Sequence, residues 1–207
     1  MFFRGSDQTD AQVQRTIGEA SDTRTSLGKK DAPVEMIEFI DILCPYCAKV
    51  DREVMPRITS DYIDTGKVHY VARVVGMLTP DSRRAAVGAY CAAEQGKFWE
   101  YVDTAYDRTW KEFYSRGKSP QEVTLFSDAN IRRFAEGLSV DMLMWGDCLQ
   151  NGRYYDTVDK NQKQMNDIGA YGTPHFLFNG QNYSGAPPYE LFKVAIDGEL
   201  RKKESGN

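Results

Sequence analysis

A chain of 207 residues with 41% hydrophobic and 27% charged residues has an ordinary globular composition, which argues against a disordered or fibrous protein. The formal net charge of -4 supplies no overall basic field to grip a polyphosphate backbone, so nucleic acid is not an expected partner. No stretch approaches the roughly 18 to 20 uninterrupted apolar residues of a membrane helix, and Met1-Phe2-Phe3-Arg4 is too short for a signal-peptide core.

Residues 1 to about 26 are polar, with only Val13, Ile17 and Leu27 at loose helical spacing, and read as a mobile arm or surface helix. Composition changes at Ala32-Pro33: residues 34–40 run into Asp41-Ile42-Leu43-Cys44, a mostly apolar run of the length of a buried strand. Pro45 suits a first helical position, where a missing N–H costs nothing and the ring fixes a helical angle. A helix therefore starts at the cysteine pair and continues through Ala48, Val50 and Val54 to Met55-Pro56, where the proline should kink or end it. Gly66 punctuates, and the β-branched run 68–75 predicts a second strand. Strand, helix and strand in that order favour a parallel pair with a right-handed crossover.

From about 82 to 163 the pattern is helical. Segments 85–93, 98–106, 131–138, 141–149 and 154–168 are the expected helices, with Ser127-Asp128-Ala129-Asn130 offering caps before the third. Strand character returns in Pro174-His175-Phe176-Leu177-Phe178, turns at Asn179-Gly180 and pairs with 181–185. A final helix from 188 to about 200 closes the chain.

The chemistry rests on four cysteines, Cys44, Cys47, Cys91 and Cys148, too few for the framework of a small disulfide-dense domain. Two cysteines separated by two residues at a helix start can close a small disulfide, with the first sulfur expected exposed and the second shielded by the helix. Unpaired N–H groups and the positive end of the helix dipole stabilise a thiolate at the first turn, so Cys44 is the expected nucleophile and Cys47 the resolving thiol. Lowering that thiol's pKa stabilises the reduced form and makes the disulfide a stronger oxidant. Tyr46 brings no positive charge to the thiolate and by itself argues for a weaker oxidant than a histidine would. The competing reading of a lone C-x-x-C is half of a zinc site, which needs two more ligands. Cys91 and Cys148 are single rather than a second close pair, and no metal constellation is read.

Asp31-Ala32-Pro33-Val34, Glu38-Phe39, Asp41 and Cys44-Pro45-Tyr46-Cys47 resemble the opening of the DsbA-like thiol oxidoreductase family, within the thioredoxin superfamily. Gln95-Gly96-Lys97-Phe98-Trp99, Gly172-Thr173-Pro174 and Asn179-Gly180 resemble its later landmarks in the same order, so the likeness spans about 27–198. It implies an α/β thioredoxin fold with an inserted all-helical domain: an arm at 1–26, the thioredoxin domain at 27–80 and 165–207, and the insert at 81–164. It also implies a cis peptide at Thr173-Pro174, whose backbone pairs with an incoming substrate beside the cysteines. Glu38 falls where the family carries an acidic group beneath the active site; buried there it would have a raised pKa and pass a proton to Cys47. His175 departs from the family pattern; within reach of Cys44 it would stabilise the thiolate, and turned away it is an ordinary strand residue. His69 is read as a strand residue only. Some relatives carry a structural disulfide in the helical lobe, which here falls to Cys91 and Cys148; closing that 58-residue segment would contribute about 4 kcal/mol by the chain-entropy estimate.

The expectation is an enzyme without a cofactor that introduces disulfides into exported proteins. Its implied partners are reduced or misfolded secreted proteins as substrates and a membrane-bound, quinone-linked protein that reoxidises it. Its implied location is extracytoplasmic, in the periplasm or at the cell surface, with an anchor outside this sequence as one option. Two alternatives use the same residues differently: a reductase or isomerase working the pair in the other direction, and a zinc-binding or thioredoxin-like interaction module without turnover.

Overall fold

The computed structural model describes residues 23–112, 114–119 and 128–206. Most of the expected arm, residues 1–22, and the capping residue Ser127 lie outside them. A single 3-10 turn at Thr23–Thr25 leads into strand β1 at Ser26–Leu27, which pairs antiparallel with strand β3 at Val68–Val75. Ser26, the last residue assigned to the arm, therefore belongs to the sheet, and Thr25 before it is buried.

Strand β2, Val34–Asp41, is buried at every position but Glu35, as a strand covered on both faces must be. Helix α1, Pro45–Glu53, begins on its proline. The helix breaks at Val54 and resumes as the short helix α2, Met55–Ile58, with Pro56 in its first turn; a π turn at Thr59–Ile63 follows. In the helical stretch, α3 spans Pro80–Ala93, α4 Phe98–Glu112, α5 Asp128–Glu136, α6 Met142–Gln150 and α7 Tyr155–Asp167. Strands β4, His175–Phe178, and β5, Gln181–Ser184, precede helix α8, Tyr189–Glu204. The sheet runs β1-β3-β2-β4-β5, with β4 antiparallel to both β2 and β5. The β4–β5 turn is closed by Asn179 and Gly180, both at positive φ (44° and 85°), the conformation a two-residue hairpin of the right twist requires.

The described residues group into two compact units. The first takes 23–39, 49–73 and 164–206. Phe176 and Phe178 of β4 pack against Phe192 of α8, the first edge-on at 4.8 Å, and Tyr62 donates a hydrogen bond to Asp197 at 2.9 Å.

The second unit takes 40–48 and the described part of 74–163. Helix α3 starts in a capping box in which Thr79 and Ser82 exchange side-chain and backbone hydrogen bonds. Its small face, Ala85, Ala89, Ala92 and Gly88, is buried; a Cβ on Gly88 would sit 2.5 Å from the Tyr101 hydroxyl, so the close approach of α4 needs glycine there. Trp145 of α6, fully buried, donates its indole N–H to the Gly88 carbonyl at 3.0 Å. One turn on, Cys91 of α3 and Cys148 of α6 form a disulfide with Cα atoms 5.8 Å apart.

Segments 40–48 and 74–80 cluster with the helices because the turn after β2 is hydrogen-bonded to Met77, Leu78, Tyr106 and Tyr114, partners distant in sequence.

Candidate active site

In the second unit, Cys44 occupies the N-cap of α1. Its carbonyl accepts the Ala48 N–H at 3.0 Å and its Sγ accepts the N–H of Cys47 at 3.3 Å. A sulfur thus fills the place usually taken by a serine or aspartate oxygen, and it sits where the N–H groups of the first turn and the helix dipole favour negative charge. Pro45 contributes no N–H to this turn and holds its backbone angle.

Burial corrects one expectation. Cys44 is only 2% exposed and Cys47 1%, so the two are not set apart by access to solvent, whereas Tyr46 between them is 63% exposed. The turn that carries them is held by bonds to groups distant in sequence. Asp41, at the end of β2, accepts backbone N–H bonds from Leu43 at 2.8 Å, Met77 at 2.9 Å and Leu78 at 3.1 Å. Its carbonyl accepts the Cys44 N–H at 2.9 Å and the Tyr106 hydroxyl at 3.3 Å, while Tyr114 donates to the carbonyl of Leu43. Burial pushes the Tyr114 hydroxyl well above the ordinary tyrosine value, and negative charge at Cys44, Asp41 and Cys47 adds to this. What separates the two sulfurs is their place on the helix, one capping it and the other in its first turn.

In the first unit, Glu38 is buried, 3% exposed, and accepts a hydrogen bond from the Tyr70 hydroxyl at 2.6 Å. Thr173-Pro174 is a cis peptide, and the Pro174 carbonyl accepts the Gly185 N–H at 3.0 Å. His175 stands opposite Phe39 in the ladder and is buried; its Nε2 lies 2.8 Å from Asn182 Oδ1 and its Nδ1 2.8 Å from Ser184 Oγ. A neutral ring satisfies both contacts, donating from Nε2 and accepting at Nδ1. Burial also pushes its pKa down, against a smaller opposing effect of Asn182. Thiolate stabilisation by His175 would need an imidazolium, and this surrounding favours the neutral imidazole. Burial, reinforced by Lys30, likewise pushes the His69 pKa down; its Nδ1 lies 3.8 Å from Glu35.

A cavity of about 280 Å³ in the first unit is lined by Lys49, Val50 and Glu53 on the later turns of α1 and by Pro187, Pro188 and Tyr189 before and at the start of α8. Among the described residues, no three His, Cys, Asp or Glu side chains gather as a metal site, and no helix is long and apolar enough to cross a membrane. Sequence reasoning passed over Asp41 and Tyr114 as site residues. Asp41 had a signal, a charge inside an apolar run; Tyr114 had none, because its contact with Leu43 spans 71 positions.

A family model described as Thioredoxin matches residues 20–198. The "Probable disulfide bond formation protein D" of Bacillus cereus is 31% identical over 186 residues, which cover 88% of this chain and 82% of the relative. The disulfide bond formation protein D of Bacillus subtilis is 27% identical over 86% of this chain and 77% of its own length. Among solved structures, oxidised BdbD from Bacillus subtilis aligns with a TM-score of 0.74 at 23% identity, covering 86% of this chain and 92% of that one.

Proposed function

Because this chain belongs to the DsbA-like family of thiol-disulfide oxidoreductases in the thioredoxin superfamily, we propose that Cys44 and Cys47 are its redox pair and that it introduces disulfides into exported proteins. The observation that carries this reading is the Cys44 sulfur capping helix α1 and accepting the Cys47 N–H, a place that stabilises a thiolate and so stabilises the reduced enzyme.

In the oxidised enzyme a substrate thiolate attacks Cys44 Sγ. A new S–S bond forms, the Cys44–Cys47 bond breaks, and Cys47 leaves as a thiolate that takes up a proton. A second substrate thiolate then attacks the substrate sulfur of this mixed disulfide and expels Cys44 as a thiolate. The substrate has lost two electrons and the enzyme has gained them. Restoring the pair needs an acceptor of two electrons and two protons, for which a membrane-bound, quinone-linked protein outside the cytoplasm is the proposed partner.

Glu38 is the proposed proton carrier for Cys47, its carboxyl buried and held by the Tyr70 hydroxyl. Thr173, Pro174 and His175 are proposed to meet the substrate chain through their backbone, the buried His175 ring being held by Asn182 and Ser184. Tyr46, exposed between the cysteines, would contact the substrate directly.

The test is oxidation of a reduced peptide that carries two cysteines, followed with stoichiometric enzyme, together with the equilibrium of the pair against glutathione. Rapid oxidation and an equilibrium favouring the reduced enzyme are expected. An equilibrium strongly favouring the disulfide would assign the protein to reduction or isomerisation.

A further inference from the structure

Taking Cys44 as the exchanging sulfur, we propose that Asp41 is its positioning residue: Asp41 anchors the turn that delivers the sulfur, and its carboxyl, when ionised, opposes the Cys44 thiolate. Fully buried at the end of β2, its side chain ties Leu43, next to the cysteine, to Met77 and Leu78 with three N–H bonds of 2.8 to 3.1 Å. Its own carbonyl receives the Cys44 N–H. Both ends of Asp41 therefore hold the same turn, and a shift of either moves the helix cap.

The carboxyl is faced by those three N–H donors and the Ser82 hydroxyl, while Tyr106 bonds the Asp41 carbonyl and Tyr114 the Leu43 carbonyl; none of these groups is a cation. Burial pushes the Asp41 pKa up, and the three N–H bonds and Ser82 act against that shift. Donors that converge on two oxygens are satisfied by a carboxylate and conflict with an amide, whose nitrogen can accept nothing. The carboxyl holds the N–H of Leu43, the residue before Cys44, and the Asp41 carbonyl holds that of Cys44 itself, so carboxyl and sulfur belong to one short turn. Like charges held in one turn raise one another's pKa. The helix start thus favours the Cys44 thiolate and Asp41 opposes it, and the two together set the oxidising strength.

The experiment is the pH dependence of alkylation of the reduced protein, for wild type and Asp41→Asn. The inflection of Cys44 should lie at lower pH in the variant, so that below it the variant reacts about threefold faster or more, and the glutathione equilibrium should move toward reduced enzyme by a similar factor. Superposed alkylation curves overturn the proposal, even if the variant melts earlier, since a purely structural role lowers stability without moving the inflection. If Asp41→Asn does not fold, the Asp41 carboxyl carbon is followed by NMR against pH in oxidised and reduced wild type. Coupling is reciprocal, so its titration should lie higher in the reduced protein, and identical titrations overturn the proposal. Oxidation of the two-cysteine peptide by wild type separates the levels: failure there removes the reading of the pair and this role with it, whereas success with superposed curves removes only the role of Asp41.

Discussion

The two cysteine pairs of the second unit are built on opposite plans. Cys44 and Cys47 lie three residues apart at the start of one helix, where bridging them closes almost no loop and the local backbone field acts on the sulfur. Cys91 and Cys148 lie 57 residues apart on two helices, beside the buried Trp145 and the close contact at Gly88. Closing that loop restricts the unfolded chain strongly. A short span with a polarised end is suited to electron exchange and a long span between packed helices to stability, so the two disulfides should respond differently to every perturbation.

The sharpest break in that comparison is Cys44→Ser, which should reduce peptide oxidation to the uncatalysed rate, while Cys47→Ser should accumulate mixed disulfides visible by mass spectrometry of acid-quenched reactions. Activity surviving in Cys44→Ser would move the chemistry to another residue. Next in size, the double substitution Cys91→Ala and Cys148→Ala should lower unfolding free energy by up to about 4 kcal/mol in denaturant titrations, yet leave the glutathione equilibrium of the other pair within about twofold. A larger change in that equilibrium would mean that the two pairs are coupled.

Reducing only Cys44 and Cys47 should raise the melting temperature or leave it unchanged, because a disulfide that oxidises others is held in a less stable state; about 30 mV corresponds to roughly 1.4 kcal/mol for a two-electron couple. Melts with Cys91–Cys148 kept closed give the sign, and a clear fall on reduction would place the enzyme among reductases. The smallest effect concerns the buried histidines of the first unit. Both His69 and His175 have pKa values below the ordinary histidine value, so as pH falls through about 6.5 the unfolded chain takes up protons before the folded one and stability declines. The denaturation midpoint should drop between pH 7 and 5.5, and His175→Gln should flatten part of that slope; an unchanged slope would mean that His175 titrates normally in the fold.

Local patterns carried most of the architecture. The hairpin at Asn179-Gly180 needs only two residues that tolerate positive φ, the α1 start needs only a proline whose missing N–H is harmless, and the strand before it needs only an unbroken apolar run. Each is decided within a few positions of the chain. By contrast, strand β1 pairs through backbone groups that any sequence possesses, so its Ser26 reads as the end of an arm. The thioredoxin fold with its helical insert was legible through the combined order of several weak motifs.

The spacing of Cys44 and Cys47 at a helix start was determined by the sequence itself, because helix geometry turns a separation of three residues into a single polar turn with its dipole on the sulfur. Only the tertiary structure decided that both sulfurs are buried, that His175 is held by Asn182 and Ser184, and that Met77, Tyr106 and Tyr114 bond to the turn at Asp41 and Leu43. Solvent access and electrostatic surroundings are sums over neighbours brought from 36 to 71 positions away, and a local pattern holds no record of them.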